Sequence, residues 1–423
     1  MAKQRAGRKP DASGRPFSRH WGFSLWNLVF FTAGVLLCLM AGYLGVLHLG
    51  GARAAAAQGG ARNVAPSPNR PWGELEAIPI FLERPKEYSS SPTPVPAQLQ
   101  WFFPRQTLPQ LSTFFRKCGL PEHQSRALSD TNRWQITPTE VVITPPLEVV
   151  RDMEPVPRER IYRALARSAK NGEHRYPYYS DQGFDQWFAG CSLPQEKLDL
   201  IRRMTYTRNG ILCFSDAEFL QMTFAREEMR EVSETLSRVP SLLVRLHITP
   251  QTDVDALLNY WGSSSRTSKI KPLLESAKRV PEGTTLNISW FFPPVPRLLL
   301  YSYPNPTNTI AGKYPDCYWT ALNFFNDTPD NRLLGEAAGE TLHTGYESIP
   351  KAERFGDVIL LYQREGEEVI TVHTCIFVAE DIVFTKNGYD LRQPWVLMRM
   401  EDMMFKYVTD KSVGIAAFRS KHR

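Results

Sequence analysis

The run Pro315-Asp316-Cys317-Tyr318-Trp319-Thr320-Ala321-Leu322-Asn323-Phe324-Phe325 decides how the C-terminal third of this chain is understood. It has the make-up of a helix that begins at a cysteine. Downstream, Gly356-Asp357 leads into the apolar strand Val358-Ile359-Leu360-Leu361-Tyr362, and His373 opens a second strand, Thr374-Cys375-Ile376-Phe377-Val378. A thiol at a helix N-terminus feels the positive end of the helix dipole, which favours thiolate. A histidine on a rigid strand can be held within hydrogen-bond reach of such a thiol. The pattern therefore offers Cys317 as nucleophile and His373 as base.

The residue that orients the imidazole depends on the next hairpin, whose return strand is Ile382-Val383-Phe384-Thr385-Lys386-Asn387-Gly388. Side chains alternate between faces, so a one-residue change in turn length exchanges one set for the other. An odd turn centred near Glu380 sets Asn387 opposite His373 with Thr385 on the same face; an even two-residue turn offers Lys386 instead. Asn387 is the better orienter by chemistry, because its amide oxygen can accept an imidazole proton.

The order of Asp-Cys at a helix start, Gly-Asp strand, His strand and hairpin resembles the NlpC-type cell-wall peptidases, over roughly residues 300–410. The resemblance implies a papain-like α+β catalytic domain with Cys317, His373 and Asn387 as the catalytic set, and Thr385 nearer the slot the family uses. It also implies hydrolysis of amide bonds in peptidoglycan stem peptides. Tyr318-Trp319 stands where that family usually has Ser-Gly. Two rival functions keep the fold: a catalytically inactive protein that binds wall peptides, and an acyltransferase acting on lipids. The acyltransferases have His ahead of Cys, and here Cys317 comes first.

Residues 1–24 form a basic tail, with Lys3, Arg5, Arg8, Lys9, Arg15 and Arg19 against Asp11. No Asp, Glu, Lys or Arg occurs from His20 to Ala52, and residues 25–49 are long and apolar enough to span a bilayer once. The basic flank keeps the N-terminus cytoplasmic and places the rest beyond the inner (plasma) membrane. The small residues Ala54-Ala55-Ala56-Ala57 allow a cleaved signal as the alternative.

Residues 50–98, rich in Gly and Ala and then holding eight prolines between Pro66 and Pro96, are expected to be a linker. The net charge is +6, of which the first twenty residues carry +5, so the remainder has no electrostatic footprint for nucleic acid. The six cysteines are sparse and irregularly spaced, which excludes a disulfide scaffold. No metal-ligand spacing and no phosphate loop occurs, so no cofactor is expected.

Two stretches share a helical apolar face: Leu111, Phe114, Phe115 and Cys118 match Val254, Leu257, Leu258 and Trp261, about 143–145 residues apart. Each is followed by a polar helical stretch and a short strand, Val141–Ile143 and Leu286–Ile288. A strand-helix-helix-strand unit with Pro281-Glu282-Gly283-Thr284 at its last turn resembles LysM glycan-binding modules, at residues 99–147 and 242–290. The resemblance implies peptidoglycan as a partner. Residues 148–241 read as helical, with helices over 158–170, 193–204 and 216–238, the last capped by Ser215 with Glu218. Trp290–Pro294 and Leu298–Tyr301 read as strands entering the catalytic domain.

Overall fold

The computed structural model describes residues 70–422 except 89–94, 105–107, 181, 263–266, 306–311, 336, 367 and 408–411. The basic tail and the spanning segment at 25–49 lie outside these residues. No described helix is long and apolar enough to cross a membrane. The described chain is α+β, with four antiparallel sheets.

The linker expectation fails for the second half of 50–98. Glu74–Leu82 (β1) is a nine-residue strand on the edge of a three-stranded sheet. An edge strand tolerates Pro79. Its partner is residues 239–248, from Glu74↔His247 to Leu82↔Val239. The chain thus leaves β1 and returns beside it, and Glu83 pairs with Arg238 at 2.7 Å across the neck.

Between those two points lies a body built twice. The first copy runs β2 (Trp101–Pro104), α1 (Leu108–Lys117), α2 (Glu122–Leu128), β3 (Trp134–Ile136), β4 (Glu140–Ile143), α3 (Leu147–Asp152) and α4 (Pro155–Leu165). The second repeats that order as β5 (Tyr178–Ser180), α5 (Gly183–Trp187), α6 (Gln195–Met204), β6 (Tyr206–Arg208), β7 (Ile211–Phe214), α7 (Ala217–Thr223) and α8 (Arg226–Leu236). Both sheets put the last strand in the middle, β2-β4-β3 and β5-β7-β6. The turn between the first two helices reads Cys118-Gly119-Leu120-Pro121 in one copy and Cys191-Ser192-Leu193-Pro194 in the other.

Residues 148–241 are therefore not simply helical. The 216–238 helix is two helices broken at Phe224-Ala225, and Ser215 does not cap it, because its hydroxyl bonds Tyr206 at 2.7 Å. One core serves both copies. Inside it, fully buried Arg158 of α4 donates to Asp216 of the second copy at 2.7 Å and to Tyr162 at 2.9 Å.

The third unit is β8 (Val239–Ile248), α9 (Val254–Trp261), α10 (Thr267–Lys278) and β9 (Thr284–Asn287). The strand-helix-helix-strand order expected for 242–290 is present, with β8 and β9 antiparallel neighbours. Gly283, at φ +76°, turns the chain into β9. The strands expected next are helical instead: a 3-10 turn at Ile288–Phe291 and α11 (Pro294–Leu299), begun by Pro294, which suits a first helical position.

The C-terminal part comprises α12 (Cys317–Leu322), α13 (Ala337–Gly345), β10 (Tyr346–Ile349), β11 (Val358–Glu365), β12 (Glu368–Ala379), β13 (Ile382–Lys386), β14 (Trp395–Arg399), α14 (Met400–Tyr407) and β15 (Val413–Ser420). Its sheet has the order β10-β15-β11-β12-β13-β14. Alternation splits the sheet into two faces. Ile376, Phe384 and Trp395 pack with α12 and the third unit, while Cys375, Phe377, Val383 and Val396 pack with Met403 of α14. The Ser241 hydroxyl donates to the Leu397 carbonyl at 3.0 Å and joins β8 to β14.

Candidate active site

Cys317 is the first residue of α12. Asp316 caps that helix, its carboxylate accepting the Trp319 N–H at 2.8 Å, and this fixes where the thiol sits. The β12–β13 ladder runs only as far as Ile376↔Phe384 at this end. Thr374, two residues earlier, presents its N–H on the same side as Ile376, with no strand partner there. That N–H and the Tyr318 N–H face Cys317 Sγ. The thiol therefore lies where β12 and β13 part.

His373 leaves the opposite face of β12, beside Cys375, and is fully buried. Its Nε2 is 2.7 Å from Thr385 Oγ1, and its Nδ1 has no hydrogen-bond partner. The ring stacks on Tyr407 of α14, centroids 4.3 Å apart at 15°. No hydrogen bond joins thiol and imidazole among the described contacts. They share one end of β12, linked through the Thr374 backbone.

Asn387 does not hold the imidazole. Its Nδ2 donates to Met398 Sδ at 3.6 Å and its Oδ1 accepts the Tyr407 hydroxyl at 3.3 Å. Thr385 takes the orienting position. The turn sets both on the imidazole's face: Ala379↔Ile382 closes a two-residue turn, but a register shift at Val378 makes the ladder beyond it odd, Phe377↔Val383 and Ile376↔Phe384, which turns Lys386 to the other face and leaves Thr385 as the hydroxyl that reaches Nε2. Glu380 sits in that turn at φ +54°, and its carboxylate accepts Arg70 Nη1 at 2.7 Å and Trp72 Nε1 at 3.3 Å. The segment before β1 thus clamps the turn that sets the register.

The electrostatics differ from the expected thiolate. Burial, then the Asp316 carboxylate, pushes the Cys317 thiol up to about 12. Burial, then the Lys406 ammonium, pushes His373 down to about 3. Lys386, buried on the α12 face, is held down to about 8 by burial; its Nζ donates to the carbonyls of Gly388 at 2.7 Å and Asp390 at 3.1 Å. Cys375, the second thiol of this part, is packed among Ile359, Leu361 and Phe377, and burial raises it as well.

The Gly356-Asp357 step has a structural task. Gly356, at φ +93°, donates its N–H to the Phe377 carbonyl at 2.9 Å. Buried Asp357 accepts the N–H groups of Glu353 and Arg354 at 2.9 Å and pairs with Arg419 at 2.6 and 2.8 Å. It locks β11, and so β12, against β15. Tyr407 had no signal in the sequence, because nothing local says which strand α14 covers.

The five described cysteines are free thiols, and no described cluster of His, Cys, Asp and Glu could hold a metal ion. No family model, curated protein or solved structure matches the chain.

Proposed function

We propose that this chain is a membrane-anchored cysteine peptidase or amidase that hydrolyses amide bonds in peptidoglycan stem peptides. Cys317 is the nucleophile, His373 the general base and Thr385 the residue that orients the imidazole. One observation carries this reading: His373 is held at Nε2 by Thr385 while Nδ1 stays unpartnered, one residue from the N–H that faces the thiol. The resemblance of residues 300–410 to NlpC-type peptidases supplies the substrate class. The LysM-like units at 99–147 and 242–290 would raise the local concentration of a polymeric substrate. The apolar segment at 25–49 would hold the enzyme at the plasma membrane with this domain outside the cytoplasm.

Burial keeps both partners neutral, so proton transfer accompanies attack. As Sγ bonds to the scissile carbonyl carbon, its proton passes by way of a water at the end of β12 to Nδ1 on the other face, and the negative charge on the carbonyl oxygen is met by backbone N–H groups, Cys317 N–H among them. The C–N bond then breaks and the imidazolium proton goes to the leaving amine. Water, losing a proton to Nδ1, attacks the thioester and releases a carboxylic acid and the thiol.

A second reading, a catalytically silent protein that binds wall peptides, draws on the complete burial of His373 beneath Tyr407. Mass analysis of fragments released from purified peptidoglycan by the full-length protein separates the two. Hydrolysis predicts new amine and carboxyl ends with the wild type and none with Cys317→Ala. Equal release by both proteins, or none by the wild type, rejects it.

A further inference from the structure

A cavity of about 270 Å³ opens in the first copy of the N-terminal body, away from Cys317. Phe103 of β2 and Phe114 of α1 form its apolar wall. Arg160 and Arg163 of α4, and Arg167 just beyond that helix, form the other side. Arg163 is paired with Glu159. Arg160 donates to the Cys118 carbonyl at 3.1 Å, and Arg167 has no ion-pair partner among the described residues. Glu159 also lines the cavity, so its carboxylate and Arg163 offset each other there, and Arg160 and Arg167 leave the lining with a positive balance.

The second copy shows that the fold does not require arginine at 160 or 163. Helices α4 and α8 have the same length, and the buried pair Ile161 and Leu165 corresponds to Val232 and Leu236. Glu231 then stands where Arg160 stands, and it too reaches the helix–helix turn, accepting Ser192 Oγ at 2.7 Å where Arg160 donates to Cys118. The ion pair is reversed as well: Glu159–Arg163 in the first copy is Arg230–Glu234 in the second. Arg167 corresponds to Arg238, which is occupied by Glu83 and by the carbonyls of Trp187 and Ala189. At positions 159, 160 and 163 one backbone thus carries either charge pattern, so folding does not dictate the arginines at 160 and 163.

We propose that this cavity binds a small organic anion with one or two carboxylates on an apolar body. A guanidinium fork matches a carboxylate in two parallel hydrogen bonds, and the Phe103 and Phe114 rings offer the apolar body a surface to pack on. The volume holds on the order of ten non-hydrogen atoms.

Isothermal titration calorimetry of the full chain with isophthalate, against its neutral diamide, tests this. Isophthalate should bind with Kd at or below about 1 mM, and the diamide about 10-fold more weakly or not at all. The triple variant Glu159→Arg, Arg160→Glu, Arg163→Glu gives the first copy the charges of the second. It should melt within a few degrees of the wild type and lose binding by about 10-fold or more. Arg160→Gln, which keeps a donor for the Cys118 carbonyl, should weaken binding several-fold and guards against a folding failure in the triple variant. Equal affinity for the diamide, undiminished binding in a folded variant, or no binding by the wild type overturns the proposal.

Discussion

At Cys317 two effects oppose each other, and their sizes decide the outcome. The N-terminus of a helix stabilises a thiolate by about 0.3–1 kcal/mol, and α12 spans only Cys317–Leu322. Moving a thiol from its ordinary 9.0 to about 12 corresponds to roughly 4 kcal/mol against the thiolate. Burial wins. The rate of Cys317 alkylation by iodoacetamide should therefore keep climbing past pH 9, read by mass spectrometry of the labelled peptide; a plateau near pH 7 would show a preformed thiolate. Thr385→Val keeps the shape and removes the hydroxyl from Nε2, so hydrolysis should fall about 10-fold or more and the imidazole ¹⁵N shifts should move. Asn387→Ala should leave both nearly unchanged; the reverse pattern would return the orienting role to Asn387. The helix start at Cys317 and the strand through His373 were legible because residue type and order along the chain carry them. The choice of Thr385 over Asn387 was not, since the bulge at Val378 sets both on the imidazole's face and the Asn387 amide is taken by Met398 and by Tyr407 of α14, a packing that nothing local encodes.

Among the elements, those of ordinary length were legible and the shortest were not. The third unit has a ten-residue strand and helices of eight and twelve residues, long enough to show their periods. The second copy has three- and four-residue strands and a five-residue α5, too short for a stripe repeating at i, i+4 and i+7. A comparison by helical stripe therefore steps from the first copy to the third and passes over the one between. Asp357 shows what a two-residue motif can do for a sheet. Asp357→Ala removes a buried acceptor from two N–H groups and leaves Arg419 without its partner, which should cost about 3 kcal/mol in a urea melt. A loss below about 0.5 kcal/mol would mean that the step does not hold β11 in place.

For the whole molecule, buried titratable groups set opposing limits on stability. His373 and His174 are both pushed down to about 3 by burial. The unfolded chain binds their protons near 6.5, so stability rises with pH from about 3 to 6.5, by up to about 1.4 kcal/mol per pH unit for each. Glu173 runs the other way. Burial, then Glu218 and Asp216, push it from 4.5 to about 8, so the folded state holds its proton longer and stability falls as pH rises across that range. Two histidines rising against one carboxyl falling keep the net slope positive to about pH 6.5, so the urea midpoint should peak near there, and Glu173→Gln should flatten the alkaline side. An unchanged alkaline side in that variant would show that Glu173 is ionised in the folded protein.

The pairing of β1 with β8 also governs the order of events during synthesis. Leu82 meets Val239, and Glu74 meets His247, only after the whole double body has been made. At roughly 5–20 residues per second, β1 waits on the order of ten to thirty seconds for its partner. Meanwhile the double body, whose strand pairings are all internal, can close at the ribosome and take in Phe81, leaving Leu75 and Ala77 without the third unit that covers them. The nascent chain thus passes through a stage with one finished body and one sticky strand, the stage at which a holdase would bind.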